Sequence, residues 1–185
     1  MNGVIEHLIE SLLNCPIVKK GEYNYFVHPI TDGIPNIDPM VLREVAVGMI
    51  RLLDLKNVKY IVAAEAMAIP IGTAISLITD IPLNIIRKRS YGLPGEQEVV
   101  QETGYSKGQM FVNGLCKGDR VVIVDDVIST GGTINGILAT LGGMGVEVSG
   151  ICFAIKKGTP KVDMPYHYLV AIEVTDAVRI VDQTL

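Results

Sequence analysis

The chain has 185 residues, 49% apolar and 19% charged, with no Trp and a formal net charge of -4. That balance excludes an intrinsically disordered chain, and without a basic excess it excludes a general nucleic-acid surface, while local clusters for small polyanions stay open. The length suits one domain, residues 1–185, with an aliphatic core.

Taken in chain order, a short amphipathic segment (Ile5, Leu8, Ile9, Leu12) comes first. From Asp38 to Leu55 apolar residues recur at helical spacing, with Asp38 at a predicted N-cap and Pro39 at the first helical position. Lys59 to Ala64 reads as a strand, Pro70 to Thr79 as a helix, and Leu83 to Ile86 as a second strand. Residues Arg87 to Gly108, RKRSYGLPGEQEVVQETGYSKG, are glycine-rich and open on three consecutive cations. By itself this stretch fits either a solvated hairpin or a mobile loop with a basic root.

Next comes Val121 to Thr133, VVIVDDVISTGGT, the most informative run in the chain. Val121 to Val124 is short and apolar, as a strand covered on both faces should be, and helical periodicity resumes at Ile134, Ile137, Leu138 and Leu141. Between strand and helix lie two carboxylates and a Ser/Thr/Gly turn. Ser129, Thr130 and Thr133 offer hydroxyls, and Gly131 and Gly132 let backbone approach closely. The N–H groups opening a helix lack intrahelical partners, so a phosphate would satisfy them. Asp125 and Asp126 would repel that phosphate if it lay on them, but they suit a vicinal diol or a metal ion. A sugar phosphate fits both halves. Further strands are predicted at Val146 to Ala154 and Tyr168 to Val174.

Strands alternating with helices imply an α/β architecture, a mostly parallel doubly wound sheet with helices on both faces and ligands at the carboxyl ends of strands. The sequence has no Gly-Lys pair for a P-loop and no G-x-G-x-x-G. Cys15, Cys116 and Cys152 are scattered, as are His7, His28 and His167, so neither a disulfide framework nor a protein metal site is expected. No stretch approaches the roughly 18 apolar residues of a membrane span, and the N-terminal stretch lacks the basic and apolar regions of a signal peptide. The expected location is cytoplasmic, with no nucleic acid or membrane as partner.

VVIVDDVISTGGT resembles the phosphoribosyl pyrophosphate (PRPP) signature of type I phosphoribosyltransferases. The resemblance implies their fold, with a small hood from the N-terminal segment and a flexible loop. It further implies that Asp125 and Asp126 hold the ribose hydroxyls, and that Ser129, Thr130, Gly131, Gly132 and Thr133 bind the 5′-phosphate. Arg87-Lys88 and Leu93-Pro94-Gly95 repeat pieces of the adenine-type branch, which makes Arg87 and Lys88 candidates for pyrophosphate. Ala64, Glu65 and Ala66 fall where that branch has its pyrophosphate loop. Two departures stand out: Met67 and Ala68 replace the Arg and Gly usual after that loop, and Gly104-Tyr105-Ser106 stands where Glu-Tyr-Gly is usual. Glu102 is the substitute candidate for proton exchange with the base.

Both departures argue against adenine. From about Tyr25 to the C-terminus the chain resembles the archaeal hypoxanthine/guanine phosphoribosyltransferases. That likeness implies PRPP and a purine base as substrates, Mg2+ bound mainly through PRPP, and a homodimer. The base would be read by Val27 to Thr31 and Val174 to Ile180, with Val27, His28 and Val178 as candidates. Phe26 would either stack on the base or fill a small hood core. The alternatives are the same transfer to adenine, xanthine or orotate, or a PRPP-sensing regulator with the fold and little activity.

Overall fold

The structure, a computed structural model, describes residues 5–21, 23–100 and 109–185. Helix α1 (Glu6–Leu13) buries Leu8 and Leu12, and is followed by an antiparallel hairpin of β1 (Ile17–Lys20) and β2 (Tyr23–Phe26). A single turn, α2 (Pro29–Asp32), completes this small N-terminal hood. Helix α3 (Pro39–Leu52) starts where its cap predicts: the Asp38 side chain accepts the N–H groups of Met40 at 2.7 Å and Val41 at 3.3 Å. A cap of this kind is worth about 1 kcal/mol.

The α/β body follows: β3 (Tyr60–Ala64), α4 (Ala68–Thr79), β4 (Leu83–Ile86), β5 (Gln97–Val100), β6 (Gln109–Val112) and β7 (Arg120–Ile128). It ends with α5 (Gly132–Gly143), β8 (Glu147–Lys157), β9 (His167–Val174) and β10 (Val178–Gln183). The main sheet has six strands in the order β10-β9-β8-β7-β3-β4, parallel throughout except where β10 lies antiparallel on β9. Each face carries its own core. Val122 and Val124 turn toward α3 and α4, whereas Val121 and Ile123 turn toward α5 and the β5–β6 hairpin. Coverage on both faces is why β3 and β7 read as unbroken apolar runs. Helix α4 packs closely on this sheet because Gly72 has no side chain; a Cβ there would lie 2.7 Å from Leu83 Cδ1 and 3.1 Å from Ala63 Cβ.

Three expectations change. Strand β7 does not stop before the acids but continues through Asp125 and Asp126 to Ile128, because β8 extends to Lys157 and offers partners along that length. Helix α4 begins two residues before Pro70, which costs nothing because first-turn N–H groups have no intrahelical acceptor. The stretch after Arg87 is not simply a loop: β5 and β6 pair antiparallel from Gln97↔Val112 to Val100↔Gln109. Strands β1, β2 and β10 were not expected at all. Among the described residues no helix is long and apolar enough to cross a membrane.

The topology determines where a ligand would sit. From β3 the chain crosses through α4 to β4 on one side, and from β7 it crosses through α5 to β8 on the other. Strands β3 and β7 are adjacent, so a crevice opens between their carboxyl ends, as at other switch points of doubly wound sheets.

Candidate functional site

One wall of that crevice is the end of β7. Asp125 and Asp126 are partly buried, and the Asp126 N–H donates to Asp125 Oδ1 at 3.0 Å. Burial pushes the Asp125 carboxyl upward, against hydrogen bonds from Asp126. Burial also raises Asp126, and the neighbouring Asp125 charge raises it further. Two acids so confined favour a partner that donates hydrogen bonds or carries positive charge.

Beyond the acids, a recess of about 60 Å³ is lined by Asp125, Ile128, Ser129, Thr130, Gly131, Thr133, Ile134 and Phe153. This is several times the room one water needs. Gly131, at φ +97°, caps α5 without a side chain, and Gly132 is the first helical residue. The expected cradle is therefore assembled, with its helix N-terminus facing the recess.

A second segment, not anticipated from sequence, packs on the cradle's glycine turn. The Lys161 N–H donates to the Thr130 carbonyl at 3.1 Å, and the Asn135 side-chain amide donates to the Lys161 carbonyl at 3.1 Å. A Cβ on Gly131 would lie 2.0 Å from that carbonyl oxygen, so only glycine fits. These contacts run through backbone atoms, which leave no trace in residue type.

The opposite wall is the end of β3 with the root of the glycine-rich stretch. Ala64 is buried at the strand end, Ala66 is exposed, and the Glu65–Ala66 peptide is cis. Arg87 and Lys88 do gather here, as expected, but Glu65 is engaged with them. Its Oε2 lies 2.9 Å from Arg87 Nε and accepts the Lys88 N–H at 3.2 Å. The Arg87 Nε–H is not directed along that short contact, so the pair is ionic rather than hydrogen-bonded. A carboxylate already paired with the Arg87 guanidinium is a poor direct contact for an anion.

A tight turn follows Lys88. Glu96 N–H donates to the Leu93 carbonyl at 3.0 Å with Gly95 at φ +85°, the arrangement of a type II turn. The Glu96 carboxylate accepts from the Ser90 hydroxyl, from the N–H groups of Tyr91 at 2.9 Å and Gly92 at 3.1 Å, and from the Asn113 amide at 2.9 Å. The Ser90 hydroxyl, the two N–H donors and Asn113 hold its pKa down to about 2. Glu102, the proton-exchange candidate, lies outside the described residues.

The hood lies beside β7, with Tyr25 near enough to Asp126 to feel its charge. Tyr25 OH donates to Asp32 at 2.7 Å; this bond, together with burial and the charges of Asp32 and Asp126, raises the phenol to about 12. His28 is fully buried, with Nδ1 accepting the Ile30 N–H at 3.2 Å and Nε2 2.8 Å from Ser11 Oγ. It caps α2 and has no edge left for a base. Val178 is 4% exposed and Phe26 5% exposed, and both side chains pack in the core. Val27 is half-buried and donates its N–H to the Pro16 carbonyl at 2.9 Å. Sequence reasoning missed Lys156 and Lys157 at the carboxyl end of β8. Lys157 hydrogen-bonds Tyr23 OH and lies 4.2 Å from that ring, and Lys156 lies 4.8 Å from the Tyr168 ring.

Residues 38–184 match the phosphoribosyl transferase domain family. A hypoxanthine/guanine phosphoribosyltransferase of Methanospirillum hungatei is 73% identical over 177 residues, 96% of this chain and 97% of its own. One from Methanosphaerula palustris is 53% identical over 180 residues, covering 97% and 99%. Among solved structures, adenine phosphoribosyltransferase from Rhodothermus marinus superposes with a TM-score of 0.70 at 22% identity, covering 89% of this chain and 96% of its own. The Trypanosoma brucei enzyme, solved with AMP, pyrophosphate and ribose-5-phosphate, gives 0.71 at 17% identity, covering 92% and 80%. These structural likenesses speak to the fold.

Proposed function

From the premise that this chain belongs to the phosphoribosyltransferase family, we propose that it transfers the 5-phosphoribosyl group of PRPP to N9 of hypoxanthine or guanine, giving IMP or GMP and pyrophosphate in purine salvage. The observation that carries this reading is the facing of two half-sites across one crevice. Between β7 and α5 lie the acid pair and the phosphate-sized recess; just past the ends of β3 and β4 lie Glu65, Arg87 and Lys88. PRPP carries a ribose 5-phosphate at one end and a pyrophosphate at the other, and each half-site suits one end.

In this reading Asp125 and Asp126 accept hydrogen bonds from the ribose hydroxyls, and Ser129 to Thr133 hold the 5′-phosphate with hydroxyls and backbone N–H groups. Lys88 and the backbone at Ala64, Glu65 and Ala66 receive the pyrophosphate. Among the described residues no group of three or more His, Cys, Asp and Glu is placed to hold a metal alone. Two neighbouring carboxylates do fit an ion that keeps water and substrate oxygens as its other ligands. Asp125 and Asp126 would lend oxygens to a magnesium ion carried on PRPP, which neutralises pyrophosphate charge when bound.

The C1–pyrophosphate bond breaks as N9 of the base attacks, and N9 gives up its proton. Orientation and charge stabilisation carry the rate, with Glu102 proposed to exchange the base proton. The segment from Arg89 to Gly104 would exclude water from the reacting carbon. Met67 and Gly104 count against adenine. So do Lys156 and Lys157, whose ammonium groups only donate and so suit a base carrying a carbonyl oxygen. Cytoplasmic residence and a homodimer belong to the same proposal. The test offers hypoxanthine, guanine and adenine separately with PRPP and magnesium and follows pyrophosphate release. Release with either oxopurine supports the reading, release with adenine alone moves the transfer to another base, and no release with any base favours a PRPP-sensing regulator.

A further inference from the structure

The least expected contact near the crevice is the segment that packs on the glycine turn of the phosphate recess. Residues 161–163 belong to the β8–β9 connection, yet they lie directly on the glycine turn. Three hydrogen bonds hold them there. Lys161 N–H donates to the Thr130 carbonyl at 3.1 Å, Asn135 Nδ2 donates to the Lys161 carbonyl at 3.1 Å, and Asp163 N–H donates to Asn135 Oδ1 at 3.1 Å. Two of the three use one side-chain amide.

Asn135 also belongs to the first turn of α5, where its N–H donates to the Gly131 carbonyl at 3.0 Å. Its backbone therefore closes the helix opening while its amide clamps the segment above it. Asn is a poor helix former, so propensity does not account for its presence at this position. Resting on the reading of the recess as a 5′-phosphate subsite, we propose that Asn135 is a positioning residue for that subsite: it fixes the 161–163 segment against Gly131 and turns the Lys161 carbonyl away from the bound anion.

The physical argument has two parts. The Lys161 carbonyl oxygen sits against Gly131, at the rim of a site meant for an anion, and an unpaired carbonyl dipole there would repel a phosphate. Pairing it with the Asn135 amide places a donor on that oxygen and offsets part of the repulsion. The clamp also keeps Thr130 and Gly131 in one conformation, so the N–H groups opening α5 need no reorganisation when the phosphate arrives. Pyrophosphate, bound across the crevice by the β3 and β4 ends, lies outside the influence of this clamp.

Asn135→Ala separates the outcomes. The expected result is a rise of about tenfold in KM for PRPP and in the inhibition constant of ribose 5-phosphate, the scale of one or two lost hydrogen bonds. Turnover at saturation and the inhibition constant of pyrophosphate should stay within about twofold, a split that general loosening of the protein would not give. Should the alanine variant fail to fold, Asn135→Gln keeps both amide groups one methylene displaced and is expected to show a smaller rise in the same two constants. An unchanged KM for PRPP, or an equal loss for pyrophosphate, would overturn the role of Asn135 while leaving the 5′-phosphate reading intact. Failure of the unaltered protein to use PRPP or bind ribose 5-phosphate would overturn both.

Discussion

Glu65 Oε2 lies 2.9 Å from Arg87 Nε and accepts the Lys88 N–H at 3.2 Å, so one carboxylate fastens the carboxyl ends of β3 and β4 to each other. The Lys88 backbone is thereby fixed while its exposed ammonium has no ion-pair partner among the described residues. Lys88→Ala should weaken pyrophosphate inhibition by about tenfold, the scale of one charge-assisted hydrogen bond, and leave stability within about 0.5 kcal/mol. Product inhibition and thermal unfolding check both parts; an unchanged pyrophosphate constant would return Lys88 to ordinary solvated surface.

How much of this was legible in sequence depended on how locally each feature is encoded. Asp38 and Pro39 announce α3 because a cap acts on the next few residues, and Val121 to Val124 announce β7 because burial on both faces demands apolar side chains. Strand β5 was hidden because Gly92, Pro94 and Gly95 lie beside it, and its pairing depends on β6, which lies beyond the intervening residues 101–108. Strands β1 and β10 carry many exposed residues, and β2 interrupts its aromatics with Asn24, so none of the three shows a clear apolar run. In the site, the acid pair and cradle were legible as a contiguous motif. The Lys161 clamp was not, since it acts through carbonyl and N–H groups that every residue possesses. His28 looked available to a base because nothing local reveals that Ser11 and Ile30 take both its ring nitrogens.

Glu96 gathers four donors from the Ser90–Gly92 turn and Asn113, and its pKa near 2 keeps it ionised throughout the working range. Because the folded pKa is depressed, this support is fully present above the unfolded carboxylate value and is lost only as pH falls toward about 2. Glu96→Ala should speed hydrogen exchange at the Tyr91 and Gly92 amides, whereas the unaltered protein should hold their protection, corrected for intrinsic exchange, level from pH 7 to pH 5. Equal protection in the variant would contradict the carboxylate's role in ordering the turn.

Burial holds the His28 imidazole at about 4, partly offset by Asp32, against 6.5 for an ordinary histidine. Its Nδ1 accepts the Ile30 N–H, so Nε2 carries the proton toward Ser11 Oγ; a second proton on Nδ1 would oppose Ile30 directly. The unfolded chain takes up that proton first, so stability is complete above about pH 6.5 and declines as pH falls toward 4, by on the order of 3 kcal/mol. His7, raised by its hydrogen bond to Glu44, has the opposite sign and is fully supportive below 6.5. Urea midpoints at pH 7 and pH 4.5 should differ much less in His28→Gln than in the unaltered protein; identical pH dependence in the two would rule out the imidazole as the source.

Asp126 is held in a buried pair whose carboxyls are both pushed upward in the free protein. Substrate hydroxyls would relieve that confinement. Asp126→Asn should therefore lower kcat/KM for PRPP by a factor corresponding to about 1.5 to 3 kcal/mol, while relieving the repulsion within the pair leaves the protein no less stable. An unaltered kcat/KM would remove the ribose contact from the assignment.

The most direct measurement supplies hypoxanthine, guanine and adenine together at equal concentration, with PRPP and magnesium, and separates the nucleotides formed. IMP and GMP should account for nearly all product, in step with pyrophosphate release. AMP as the main product, or no nucleotide from any of the three, would contradict transfer to a 6-oxopurine.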